Sequence, residues 1–320
     1  MTNNRNYYIA SCTPDGGIWQ YRMIDSRWEP VGFTPMDRPM YMIIAGRKMY
    51  VLLLSPFENG ESGLISYDIA ADGSLQNPSP IQSTRGEEAC HLCADGKTIY
   101  AVNYTSGSVI RMPDMLVCHT GNSIHPDRQT GPHTHYVNLT PDGKYLLVTD
   151  LGNDHIYVYD KNLSMQSRLA IPAGHGPRHL AFHEDGRHIF CVNELTSAVS
   201  LLKYTDGTLT LLETVEALPK DYTGESTAAA VRCIGNTVYT SNRGHDSVSV
   251  LDFTGERLYL RKTVPTYGRN PRDFIVSDGF ILAANQSEDA VTVVSVADSR
   301  LTAQISIKSP LCIVTDNCIL

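Results

Sequence analysis

Short apolar stretches recur along the chain, each opened by a turn and closed by an amide or a carboxylate. DGKTIYAVN (95–103), DGKYLLVTD (142–150), DGRHIFCVN (185–193), GNTVYTSN (235–242) and DGFILAAN (278–285) all read turn glycine, β-type residues, then Asn or Asp. GRKMYVLLL (46–54) is a weaker copy. Residues alternate within such stretches: over 154–160, Ile156 and Val158 point one way and Tyr157 and Tyr159 the other, the period of a β-strand. No segment carries a capped helical stripe. The marking glycines stand at 46, 96, 143, 186, 235 and 279, at intervals of 50, 47, 43, 49 and 44. A period in the forties, with about four short strands per unit, predicts propeller blades.

The six glycines mark six units and leave material at both ends. Residues 7–33 supply three strand-like runs (YYIASC, GIWQYRM, WEPVGF), and PLCIVTD (310–316) looks like the strand that opens every other blade. Joined, the two ends complete a seventh blade and leave no unpaired edge strand. The expectation is an all-β fold, a seven-bladed β-propeller closed by pairing of N- and C-terminal strands. All-β chains of 320 residues are often one domain, so residues 1–320 are expected to form a single propeller.

This topology brings the starts of first strands and the ends of second strands to one rim of the central channel. First-strand starts carry Arg38, His91, His133, His135, Arg178, His179 and Arg272. Second-strand ends carry Asn103, Tyr104, Asp150, Glu194, Arg243 and Gln286. So many cations on one mouth suggest a pocket for a small anion. Counted from the turn glycine, His135 (143 minus 8) and Arg178 (186 minus 8) share a repeat position and should face the channel at one depth. His133 lies two residues nearer solvent. Arg178 follows Pro177, and its guanidinium suits a carboxylate or phosphate. Glu194, among these cations, can act as a general base or balance their charge. His155, His188 and His245 fall in hairpins or outer strands and are expected at the surface.

Charge narrows the partners. Lys plus Arg number 26 against 34 Asp plus Glu, a net charge of −8. Without a basic tract such a chain is a poor binder of nucleic acid or anionic membrane. The N-terminus has no apolar signal core, and the longest apolar runs, such as 49–54, are too short to span a bilayer, so the expected location is the cytoplasm. The eight cysteines sit mostly in apolar strand-like runs, where a thiol behaves as a small hydrophobe. Cys90 and Cys93 form a C-x-x-C, but no second pair follows at zinc-ribbon spacing. G-x-S-x-G, P-loop, G-x-G-x-x-G and H-E-x-x-H motifs are all absent, leaving acid–base and electrostatic chemistry.

Five segments together resemble one family: NYTSGSV (103–109), PHTHYVNLTPDGKYLLVTDLGNDHIYVYD (132–160), GHGPRHLAFHEDGRHIFCVNELTSAV (174–199), SNRGHDSV (241–248) and NPRDFIVSDGFILAANQSEDAV (270–291). They look like the seven-bladed lactonases, which include propeller-type 6-phosphogluconolactonases and carboxymuconate lactonising enzymes. The resemblance runs from about residue 86 to the end. It implies that His135, Arg178, Glu194 and Arg243 match the family's active-site residues. It further implies that Arg272 and Gln286 line the pocket and that no metal or other cofactor is needed. His133 and His179 are the further candidates for substrate binding. The departures lie early: Ala10-Ser11-Cys12-Thr13 replaces a Gly-Thr-Tyr-Thr motif, and SPFENGESG replaces an Asn-ending strand. The expected function is hydrolysis of a small anionic sugar lactone, 6-phospho-D-glucono-1,5-lactone foremost. The alternatives are cyclisation of an unsaturated dicarboxylate and a non-enzymatic binding scaffold.

Overall fold

A computed structural model describes residues 3–25 and 27–316. Seven antiparallel sheets form the described chain, six of four strands and one of five. Their innermost strands are Pro310–Thr315 (blade 1), Pro39–Ala45 (blade 2), Ala89–Asp95 (blade 3), Thr134–Leu139 (blade 4), Pro177–Phe182 (blade 5), Thr227–Ile234 (blade 6) and Pro271–Ser277 (blade 7). Each packs against the next, and the seventh packs back on the first, so the sheets close into a ring. The expected seven-bladed propeller is therefore present. Among the described residues the one helical element is a single 3-10 turn, Gln286–Glu288.

Closure works as the leftover ends predicted. Pro310–Thr315 pairs antiparallel with the N-terminal strand, Tyr7 opposite Thr315 and Ile9 opposite Ile313. The joint is also glued by side chains: Tyr7, Ile9 and Ile313 are buried in one cluster with Ile275 and Leu282 of blade 7. Burying each such residue contributes about 1.5–3 kcal/mol. The last residues, 317–320, lie outside the described part.

Blade strands are apolar on both faces because each sheet is sandwiched between two others. Ile156 and Val158 pack with Leu180, Ile189 and Cys191 of blade 5. Tyr157 and Tyr159, one residue out of phase, pack with Tyr100 and Val102 of blade 3. All six marking glycines adopt positive φ, between 52° and 82°, which is why the tight hairpin repeats with glycine at that position. Blade 2 has the weakest outer edge, two dipeptide strands, Leu75–Gln76 and Gln82–Ser83, where the sequence repeat is least clear.

The register sets the site. Thr134 lies opposite Asp150, Pro177 opposite Asn193, Thr227 opposite Arg243 and Pro271 opposite Asn285. First-strand starts and second-strand ends thus share one end of the channel.

Candidate active site

Gly176 and Pro177 bring the chain into blade 5. Gly176 has φ 65°, and a Cβ there would meet the Leu195 side chain at 2.8 Å, so the sharp entry needs glycine. Its carbonyl accepts the Glu194 N–H at 2.8 Å, and the Glu194 carbonyl accepts the Ala228 N–H of blade 6 at 3.0 Å. Glu194 is thereby held at the junction of two blades, next to Arg178 from the adjoining strand.

The Glu194 carboxylate, 2% exposed, meets three guanidiniums. Oε2 lies 2.9 Å from Arg178 Nε. Oε1 lies 3.1 Å from Arg243 Nη2 and 2.6 Å from Arg128 Nη2. Arg178 and Arg243 are anchored from behind, donating to the carbonyls of Ala229 at 2.8 Å and Ala228 at 3.0 Å. Burial alone would raise the Glu194 pKa, but the guanidiniums of Arg243, Arg178 and Arg128 outweigh it and hold the carboxyl well below its usual range. Burial, reinforced by Arg243 and Arg272, loosens the Arg178 proton, and Glu194 opposes that. The pair remains ionised because each partner is the other's counter-charge in a buried site.

Three buried imidazoles lie near this centre. His91 and His135 stand 5.1 Å and 5.2 Å from the His179 ring. Burial, then the nearby arginine charge, drives all three pKa values well below the ordinary 6.5, so the rings are neutral. Arg178 Nη1 donates to His179 Nε2 at 3.2 Å. Cys90 Sγ is 3.7 Å from His135 Nδ1; burial pushes this thiol up to about 12 against the pull of Arg178, which makes it a poor nucleophile.

Glu194, His135, Arg243 and Arg272 line one cavity of about 310 Å³, with Cys90, Tyr104, Arg128 and Glu88. Arg178 and His179 line its narrower continuation, with His135 and Arg272 again. Four arginines face Glu88, Glu194 and Asp273 there, so the lining keeps an excess of positive charge within an acidic chain. A larger groove, about 550 Å³, opens between blades 2 and 3 and holds Arg85 and Lys97 but no paired acid and base.

Other candidates take different places. His133 is half-buried and stacks on Tyr104, ring centroids 4.4 Å apart, at the outer edge of the cavity. Gln286 starts the short 3-10 turn, its N–H bonded to the Asn270 carbonyl, and does not line the cavity. Arg38 pairs with its neighbour Asp37. Asn103 turns inward to Ser108 and the Thr84 carbonyl. His188, expected at the surface, is largely covered, its side chain 16% exposed. Cys118 is exposed rather than packed in a core.

Arg128 is the residue that pattern reasoning missed. It sits in the connection 119–133 between blades 3 and 4, outside any repeat position. Connections longer than about 12–15 residues are often functional, and that length was the available signal. Asp150 ties both ends of this loop. Its Oδ2 is 2.7 Å from His119 Nδ1, and its Oδ1 accepts the His133 N–H at 2.8 Å. Within the loop, Gln129 Nε2 donates to the Leu151 carbonyl at 2.8 Å. Asp150 therefore serves the site by placing Arg128, not by facing the mouth.

The family model described as "Lactonase, 7-bladed beta-propeller" matches residues 6–315. The chain belongs to the seven-bladed β-propeller lactonase family. It is 30% identical over 342 aligned positions to a 6-phosphogluconolactonase of Bacillus subtilis, covering 96% of this chain and 97% of the relative. A solved protein from Lactobacillus plantarum is 28% identical, with a TM-score of 0.87 over 97% of this chain and 99% of its own. A periplasmic gluconolactonase of Pseudomonas aeruginosa, 24% identical over 97% of this chain and 98% of its own, shares the fold with a TM-score of 0.85. Among the described residues, no helix of this lactonase-family chain is long and apolar enough to cross a membrane.

Proposed function

We propose that the chain hydrolyses a sugar lactone carrying an anionic group, with 6-phospho-D-glucono-1,5-lactone the foremost substrate. The observation that carries this reading is the Glu194 carboxylate, buried at one channel mouth and shared by Arg128, Arg178 and Arg243. The named relative from Bacillus supports the choice of lactone. A cavity of about 310 Å³ suits one sugar ring with its substituent.

The substrate's anionic group takes Arg128, the most exposed guanidinium of the three at 39%, and draws it away from Glu194 Oε1. Losing one cation makes the carboxylate more basic. Glu194 then takes a proton from water as the water oxygen bonds to the lactone carbonyl carbon. Arg178 and Arg243, fixed by backbone carbonyls, stabilise the oxyanion without having to reorganise. The tetrahedral centre collapses by breaking the bond to the ring oxygen, which receives the proton. His135, neutral and beside Glu194, relays it. A scaffold would gain nothing from burying a carboxylate among arginines inside a narrow cavity, since each buried charge costs desolvation.

The experiment is a panel of aldonolactones, phosphorylated and not, with acid release followed above the spontaneous rate. Acceleration of the phosphorylated lactone is the expected result. Acceleration of none removes the reading. Lactone formation from an unsaturated dicarboxylate would instead favour the cyclising alternative.

A further inference from the structure

A second cluster lies at the other end of blade 5, at the hairpin that follows the strand Pro177–Phe182. His183 follows Arg178 by five positions, roughly 17 Å along an extended strand. Here HEDGRH (183–188) folds His183, Asp185 and His188 together, one ligand atom from each within 4.8 Å of the others. Among the described residues this is the one such group of three or more His, Cys, Asp or Glu.

The local bonding fixes each donor. Asp185 Oδ1 accepts the N–H groups of Arg187 at 2.8 Å and His188 at 3.0 Å, leaving Oδ2 to the imidazoles. His188 Nδ1 is 2.6 Å and His183 Nδ1 3.2 Å from that oxygen. His183 Nε2 donates to Asn236 Oδ1 at 2.9 Å, so the His183 Nδ1 carries a lone pair. That lone pair accepts the Asp185 N–H at 3.3 Å and also faces a carboxylate oxygen with no proton between them. The Phe253 ring packs 5.1 Å and 4.9 Å from the two imidazoles. The histidines are mostly covered, at 10% and 16% side-chain exposure, while Asp185 is 34% exposed.

We propose that His183, Asp185 and His188 bind a divalent first-row transition ion, zinc being the reference case. Two imidazole nitrogens and one carboxylate oxygen suit such ions rather than calcium or magnesium. Three protein ligands leave a position for water. Metal bonds of about 2.0–2.1 Å set tetrahedral ligand atoms roughly 3.3–3.4 Å apart. The His183–Asp185 spacing already approaches that, the His188–Asp185 spacing falls short of it by less than about 1 Å, and the two imidazole nitrogens stand within 4.8 Å of each other. Asn236, from the neighbouring blade, supplies the outer acceptor that orients a ligating histidine. On binding, the proton at His188 Nδ1 moves to Nε2 or leaves to solvent, so acid competes with the ion.

The test is calorimetric titration of the metal-free full chain with zinc, repeated with cobalt, whose visible spectrum reports tetrahedral coordination. The wild type is expected to take one more ion than the His183→Ala/His188→Ala double variant. His188→Gln and Asn236→Ala should each weaken that site by at least about tenfold. Asn236 touches the ion only through His183, so its variant carries the test even if the double variant misfolds. Wild-type binding that matches the double variant, or that ignores Asn236→Ala, overturns the proposal, as does no saturable binding at all.

Discussion

Arg128 Nη2 donates to Glu194 Oε1 at 2.6 Å, joining a loop to a strand end across 66 residues. The same nitrogen donates to the Tyr104 hydroxyl at 3.1 Å. Arg128 is thus one of the charges, after Arg243 and Arg178, that hold the buried carboxylate's pKa down.

Removing that cation should have two separable effects. Arg128→Ala is expected to raise KM for a phosphorylated lactone by roughly 10- to 100-fold, the worth of one charge-assisted hydrogen bond. With one positive neighbour fewer, the Glu194 pKa rises from its depressed position. The acid limb of the kcat/KM profile, which reports the free enzyme's base, should move to higher pH. A profile that does not move would show that Glu194 is not that base.

Asp150 acts at one remove. It is fully buried and accepts from the N–H groups of His133 and Gly152 and from Asn153 Nδ2, with His119 Nδ1 alongside. Asp150→Asn breaks this arrangement and should cost about 3 kcal/mol of stability. Below its melting temperature the variant should raise KM more than it lowers kcat, because Arg128 loses its fixed place while Glu194, Arg178 and Arg243 keep theirs. An equal loss of kcat would place Asp150 closer to the chemistry than the loop clamp does.

The parts legible in the sequence are those that repeat. Arg178 and Arg272 share a first-strand position in blades 5 and 7, and Glu194 and Arg243 a second-strand end in blades 5 and 6, so strand register alone put them at one mouth. The closing pair of terminal strands was legible as the strand-like runs left over at both ends of the chain. Arg128 escaped because a connecting loop has no repeat to align it, and its position follows from long-range bonds to Asp150 and Leu151. Gln286 shows the converse: it has the right repeat position, but a local 3-10 turn takes it away from the cavity lining. His183 was passed over because its partners, Asp185 across a tight turn and Asn236 on the next blade, are set by how hairpins abut.

Acid should destabilise the fold early. His91, His135 and His179 have folded-state pKa values well below the ordinary 6.5, chiefly through burial. The unfolded chain therefore binds protons that the folded chain refuses, and stability falls as pH drops below about 6.5. Each such proton contributes a slope of about 1.4 kcal/mol per pH unit. Melting temperatures from pH 8 down to about 5 should show the decline, and His91→Gln should flatten it. An unchanged slope would mean that His91 is not buried neutral.

Chelation should leave lactone hydrolysis intact. The proposed ion ligands, His183, Asp185 and His188, stand at the far end of blade 5, and the mouth is dominated by arginines, which do not ligate cations. Exhaustive treatment with a chelator, then assay with and without added divalent ions, checks this. Activity lost and restored by a metal would require a different chemistry at the mouth.

Glu194, buried among arginines, is the base we propose for opening the lactone ring. Its most direct test is the single-turnover rate of 6-phospho-D-glucono-1,5-lactone opening by the wild type and by Glu194→Gln, at a temperature where both are folded. Glutamine leaves Arg178 buried without its counter-charge, so a stability loss of about 3–5 kcal/mol accompanies the change and is measured separately. The expected result is a wild-type rate well above the spontaneous one and a fall of about 10²- to 10⁴-fold in the folded variant, the usual worth of a general base. A folded Glu194→Gln protein as fast as the wild type would contradict it.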